Sequence, residues 1–335
     1  MKKVTICDVS KETKLSPTTI SRVIHNNGYV SKANKVIVEQ AVDKLGYVPN
    51  KVAQGLRNQR TNFIGHVMFL SSENPIAARI ADALLTASEK AGYHVLTAFR
   101  RDDTVNEREL VKDLVGQMTE AIVFNTTLFN DDIARWVVSQ GIQVIIIDRP
   151  YEIEGTDAIF LSNFEGARLA TRHLIDNGHK KIAFIGNNLE MGPREVQRYQ
   201  GFCTTIDDAG LTMQEHWVKL MPNYTIDYGY YAMEDILKNE NRPTGVFVTS
   251  DLYACGVLQC AYSHGLNIPG DLSIVGYDDT LARSCAPPLS SIDLHAEMIG
   301  QTVIDMILER QAGKTSLSRH IPTSLIERRS VKNIT

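Results

Sequence analysis

The chain has 335 residues, 43% of them hydrophobic; this suits two or three domains with buried cores and excludes a disordered chain. Its net charge of −4 is unevenly placed: residues 1–60 carry 11 Lys/Arg against 4 Asp/Glu, a net of +7, and the remainder is net −11. A basic head on an acidic body predicts that the head alone meets a polyanion, and no apolar run is long enough to predict a membrane span.

Three short helices open the chain. The first runs from about Ile6 to Lys14, with Thr5 as N-cap and Ile6 and Val9 inward. A turn at Leu15–Ser16 follows. Ser16 as N-cap and Pro17 at the first position then start a second helix. Its apolar residues Ile20, Val23 and Ile24 fall at i, i+3, i+4, which places Pro17, Thr18, Ser21, Arg22 and His25 on the opposite face. A third helix starts after Ser31 and stops at Gly46, with Ile37, Ala41, Val42 and Leu45 inward. Two helices joined by a tight turn, closed by a third, is the helix-turn-helix plan, whose second helix can enter the major groove of DNA. Spacing alone leaves open a solvated face on a small helical bundle.

The segments Thr5-Ile6-Cys7-Asp8-Val9-Ser10-Lys11, Leu15-Ser16-Pro17-Thr18-Thr19-Ile20-Ser21-Arg22-Val23-Ile24 and Leu45-Gly46-Tyr47-Val48-Pro49-Asn50 resemble the signature of the lactose/galactose repressor (LacI-type) family of bacterial regulators. The resemblance implies base reading by Pro17, Thr18 and Arg22. It implies phosphate contacts or bracing by Ser16, Thr19, Ser21, Asn26 and Tyr47, with Thr5, Asn50, Ala53 and Arg57 also on the DNA side. Ser10, Thr13 and Lys14 stand where the family usually has Ala, Ala and Gly, and His25 where Asn is common. In residues 50–58, Val52, Ala53 and Leu56 share one helical face, too short for a stable isolated helix. The resemblance makes this a hinge helix that orders on DNA, with Leu56 wedged into the minor groove.

From Asn62 onward, short apolar runs alternate with helical patterns. Strands are predicted at 64–70, 94–99, 121–125, 144–148, 181–186, 245–249 and 273–277. Helical patterns at 77–91, 166–177, 194–209 and 252–264 lie between them. This rhythm predicts two parallel sheets covered by helices, with a break near Ala158–Phe164 and a return near Pro287–Leu294. The first strand leads into Ser71-Ser72-Glu73-Asn74-Pro75 without glycines, so no dinucleotide fingerprint is present, and Gly313-Lys314-Thr315 lacks the rest of a P-loop. Five cysteines without a C-x-x-C pair give neither a zinc site nor a disulfide framework. No enzyme, cofactor or metal is expected.

Polar residues at strand ends suit a binding cleft instead. Arg198-Tyr199-Gln200-Gly201-Phe202 and Gly276-Tyr277-Asp278-Asp279 resemble motifs of the same family's sugar-binding core, itself similar to periplasmic sugar-binding proteins. Their places at strand ends make Ser71, Asn74 and Asp251 candidate effector contacts, and the resemblance implies contacts from Asn125, Asp148, Arg198, Tyr224 and Asp278. The expected fold is an N-terminal all-α helix-turn-helix domain plus an α/β periplasmic-binding-protein-like core of two parallel-sheet subdomains. The head is expected at 1–48 and the hinge and linker at 49–60. The core is expected at 61–335, with subdomain 1 about 61–160 and 288–320 and subdomain 2 about 161–287 and 321–335. The expected function is a cytoplasmic homodimeric repressor that reads a pseudo-palindromic double-stranded DNA operator and is switched by a small sugar. A corepressor-dependent regulator answering a non-sugar metabolite, or a solute-binding protein, are the alternatives.

Overall fold

The computed structural model describes residues 4–25, 27–48, 61–69, 75–100, 107–125, 130–149, 153–315 and 318–335. Two compact units result, Met1–Thr61 and Asn62–Thr335.

In the first unit, α1 (Ile6–Thr13), α2 (Pro17–Ile24) and α3 (Lys32–Leu45) enclose Val9, Ile20, Val38 and Ala41. The caps read from the sequence form. Thr5 donates its N–H and hydroxyl to Asp8, Ser16 Oγ accepts from Thr19 N, and Ser31 Oγ accepts from Asn34 N. Gly46 closes α3 in the left-handed region. One core assignment changes: Val38 takes the buried position on α3, and Ile37 is 44% exposed. The helical stripe through Ala41 and Leu45 runs back to 38, one residue beyond the expected 37.

The second unit holds two six-stranded sheets among its described residues. The first uses β1 (Phe63–Phe69), β2 (His94–Arg100), β3 (Ala121–Asn125), β4 (Gln143–Ile147), β5 (Asp157–Leu161) and β11 (Arg319–Ile321). Its order is β11-β5-β4-β3-β1-β2, all parallel. The second uses β6 (Ile182–Asn187), β7 (Val218–Met221), β8 (Gly245–Val248), β9 (Ser273–Tyr277), β10 (Ser290–Asp293) and β12 (Ser324–Ile326). Its order is β12-β10-β9-β8-β6-β7, with only β12 antiparallel to its neighbour.

The helices are α4 (Pro75–Lys90), α5 (Glu107–Gly116), α6 (Asp131–Ser139), α7 (Asn163–Asp176), α8 (Pro193–Asp208), α9 (Ile226–Leu237), α10 (Asp251–Ser263) and α11 (Ala296–Gln311). No helix among the described residues is long and apolar enough to cross a membrane. One buried cluster runs from Ile64 and Ile145 of the first sheet through Ala167 and Ala170 of α7 to Phe247 and Tyr277 of the second.

The chain leaves the first sheet after Leu161. It returns later than position 288, because Ser290, Ser291 and Ile292 pair with Val275, Gly276 and Tyr277 in the second sheet. The return therefore falls at Leu294–His295, where His295 adopts φ 53° ahead of α11. Near the end of the chain, Ser324–Ile326 pairs with β10.

Candidate functional site

The turn between α1 and α2 forms without the usual glycine. Lys14 takes φ 57°, ψ 20°, in the left-handed region. Two of the other departures from the family pattern hold it there: Ser10 Oγ donates to Leu15 O at 2.6 Å, and Thr13 Oγ1 donates to Val9 O at 2.8 Å and accepts from Leu15 N. Beyond this turn α2 presents Ser16, Pro17, Thr18 and Arg22 to solvent, with Thr19 and Ser21 half-buried. The Arg22 stem runs beside the Gly28 turn, where a Cβ would lie 3.7 Å from its Cδ. Lys11, Lys14, Lys32 and Lys44 are also exposed, and Arg22 is the one arginine of the head among the described residues. Thr5 spends both of its donors on Asp8, and Tyr47 packs its ring on the core. Asn26, Asn50, Ala53, Leu56 and Arg57 lie outside the described residues, as do Ser71 and Asn74.

In the core, a cavity of about 320 Å³ opens where β4 ends and the chain crosses from β5 into α7. Asp148, Arg149, Ser162, Asn163, Arg194 and Gln197 are among its lining residues. Asp148 follows β4 at φ 60° and accepts from Asn163 Nδ2 at 2.6 Å. Asn163 Oδ1 accepts from Arg198 Nε at 3.0 Å. Arg198 also donates to Thr249 O, lies 3.7 Å from Asp278 Oδ1 and stacks 3.9 Å over the Tyr277 ring. Asp148, Asn163, Arg198 and Asp278 thus form one chain of alternating acceptors and donors joining the two sheets.

Two glycines of the sequence motifs make room for this chain. A Cβ on Gly201 would sit 2.4 Å from Phe164 O, so α8 meets α7 only without one. A Cβ on Gly276 would sit 2.4 Å from Asp251 Oδ1.

A second chain was not legible as motif. Arg194 Nε donates to Glu195 Oε1 at 2.7 Å, and Tyr224 OH donates to Glu195 Oε2 at 2.6 Å. Tyr224 stacks on Tyr253 with centroids 5.0 Å apart. Burial favours a neutral Glu195, but Arg194 and Arg198 outweigh it and hold the carboxyl below its ordinary range. At Asp148 and Asp278 burial wins over Arg194 and Arg198, and both carboxyls are pushed up. A buried Glu beside Arg at i, i−1 has no signature in sequence; only the fold shows that Arg194 lines the cavity and Glu195 holds it from behind together with Tyr224.

The predicted effector residues separate on this geometry. Asp148 lines the cavity. Arg198 and Asp278 join it through Asn163, and Tyr224 through Glu195 and Arg194. Asn125 ends β3 with its amide 3.5 Å from Ala77 O and does not line the cavity. Asp251 is corrected. Its carboxylate is fully buried and accepts from the backbone N–H groups of Thr280, Leu281 and Ala282 and from Ser291 Oγ. It anchors the turn after β9 rather than facing a ligand. Arg79 of α4, unmarked in the sequence, bridges to Asp279 O, Asp293 and Glu297. It ties the first sheet's leading helix to the strand end that carries Asp278.

A helix-turn-helix head with exposed basic residues, joined to a two-sheet α/β core with a polar cleft, defines a ligand-responsive DNA-binding regulator. Residues 5–50 match the model of the bacterial regulatory proteins, lacI family, and residues 171–331 that of a periplasmic binding protein-like domain. The chain is 31% identical over 334 residues to the HTH-type transcriptional repressor PurR of Mannheimia succiniciproducens, covering 98% of this chain and 99% of that one. It is similar in structure to the Lac repressor dimer bound to operator and the anti-inducer ONPF, with TM-score 0.84, 25% identity and coverage of 99% and 100%. A complex of the transcriptional regulator CelR with cellobiose gives TM-score 0.71, 27% identity and coverage of 98% and 100%. The chain belongs to the lacI family of bacterial regulatory proteins. It is a DNA-binding transcriptional repressor with an effector-binding core, and not an enzyme.

Proposed function

We propose that a small sugar bound in the cleft sets this repressor's affinity for its operator. The observation that carries the reading is the Asp148–Asn163–Arg198–Asp278 chain beside a cavity of about 320 Å³. Carboxylates accept from hydroxyls and guanidinium groups donate to them, so alternating groups fit a polyol. Tyr224, stacked on Tyr253, offers an apolar ring face for a sugar. The likeness to a regulator solved with cellobiose supports the same class.

On the DNA side, Pro17, Thr18 and Arg22 read bases, while Ser16, Thr19, Ser21, Asn26 and Tyr47 position the head on phosphates. Residues 49–60 act as the hinge, with Leu56 as the wedge. Two copies read the two halves of a pseudo-palindrome, since one head spans only a few base pairs. Closure of the cleft moves the two sheets relative to each other and so changes how the heads engage the operator. A thermal-shift screen of the full chain against sugars and nucleobases tests the effector class. A sugar that raises Tm in a concentration-dependent way supports it, because a ligand that binds only the folded state stabilises it. A nucleobase response with no sugar response replaces it with the corepressor reading.

A further inference from the structure

Cys255 and Cys285 stand apart from the other cysteines. Cys260 is buried beside His264, Cys203 is half-buried next to Tyr199, and Cys7 is exposed on the head. Cys255 Sγ and Cys285 Sγ lie 3.7 Å apart, and both remain partly exposed. Two elements bring them together. Cys255 is one turn beyond Asp251 on α10, and Cys285 closes the short 3₁₀ turn Ala282–Ser284. Asp251 fixes the entry to that turn by accepting from the backbone N–H groups of Thr280, Leu281 and Ala282, and Tyr262, further along α10, donates to Ala286 O. The pairing is therefore held on both sides rather than left to two free side chains.

We propose that Cys255 and Cys285 form an oxidisable dithiol, a modification site at which a hydroperoxide closes a disulfide between α10 and the turn after β9. The Cys255 thiolate attacks the terminal oxygen of the peroxide; the O–O bond breaks, an alcohol or water leaves, and Cys255 becomes a sulfenic acid. The Cys285 sulfur then attacks Cys255 Sγ, the S–O bond breaks, and water leaves with the thiol proton. The thiol pair loses two electrons and the peroxide gains them. Closing the bond brings the sulfurs about 1.7 Å nearer, to the ordinary disulfide length. The Cys285 thiol, donating to Cys255, draws the Cys255 thiol below its ordinary value, which favours Cys255 as the attacking sulfur. The disulfide ties down the turn Ala282–Ser284, which begins four residues after Asp278, so oxidation stiffens the segment that follows β9. The covalent step does not rest on the effector reading.

The test is peroxide treatment of the reduced full chain, alkylation of the remaining thiols and peptide mapping without reductant. The expected result is a Cys255–Cys285 cross-link within single chains, reversed by dithiothreitol and absent in Cys255→Ser and Cys285→Ser. Amide exchange across residues 279–286 should slow about tenfold or more in the oxidised protein. Three results overturn the proposal: both thiols still free after Cys7 has oxidised, cross-links only between chains, or a cross-link that leaves exchange in 279–286 unchanged.

Discussion

Lys14 carries a left-handed backbone that glycine adopts freely and an L side chain resists by roughly 1–2 kcal/mol. Its side chain is exposed, so Lys14→Gly should stabilise the head by about 1 kcal/mol, read as a raised urea midpoint of its unfolding. Arg22 is exposed on α2 and is proposed above to read a base; a bidentate guanine contact gives roughly 1–3 kcal/mol of discrimination. Arg22→Ala should lose that much on operator DNA by fluorescence anisotropy and keep most binding to a scrambled duplex; equal weakening on both removes the base-reading role. In the core, His66 is fully buried on β1, and neither ring nitrogen has a partner among the described residues. Burial lowers it from 6.5 to about 4. The unfolded chain therefore takes up the proton first as pH falls. Stability is whole above 6.5 and declines towards 4, by about 3 kcal/mol at most. Urea midpoints across that window should fall for the native chain and fall less for His66→Leu.

Most helices were legible because caps are local chemistry: Ser16, Ser31 and Gly46 each mark a boundary that the structure keeps. Strands were legible where both faces are buried, as in β3, β4, β6, β8 and β9, whose apolar runs are continuous. The short strands β5, β7, β10 and β11 were not. Their three to five residues are partly polar, and only pairing with a distant neighbour makes them strands. The same divide runs through the site. Arg198 and Asp278 sit in motifs, while Glu195, Asn163 and Arg79 matter through contacts with residues far away in sequence. Asp251 was misplaced because a strand-end carboxylate looks alike whether it faces a ligand or a turn. The α7–α8 contact also supplies a test. Gly201→Ala would press its methyl into Phe164 O and shift Arg198 away from Asn163. It should destabilise the core by about 1–3 kcal/mol and weaken the thermal shift from a bound effector, with DNA binding by the head retained.

At the scale of the whole molecule, charge and fold divide the work. The basic unit meets the operator, and the acidic unit encloses the cleft. Arg79 and the Asn163–Arg198 chain link the two sheets, so a ligand touching Asp148 or Asp278 acts on both. Gating needs little energy: a coupling of about 1–3 kcal/mol changes affinity roughly 5–150-fold. The most direct measurement is the operator Kd of the full chain at fixed salt, titrated with a ligand that raises its Tm. A change in Kd within that range, abolished by Arg198→Ala while nonspecific DNA binding persists, is the predicted result. An operator Kd that stays constant at saturating ligand would contradict ligand-gated repression.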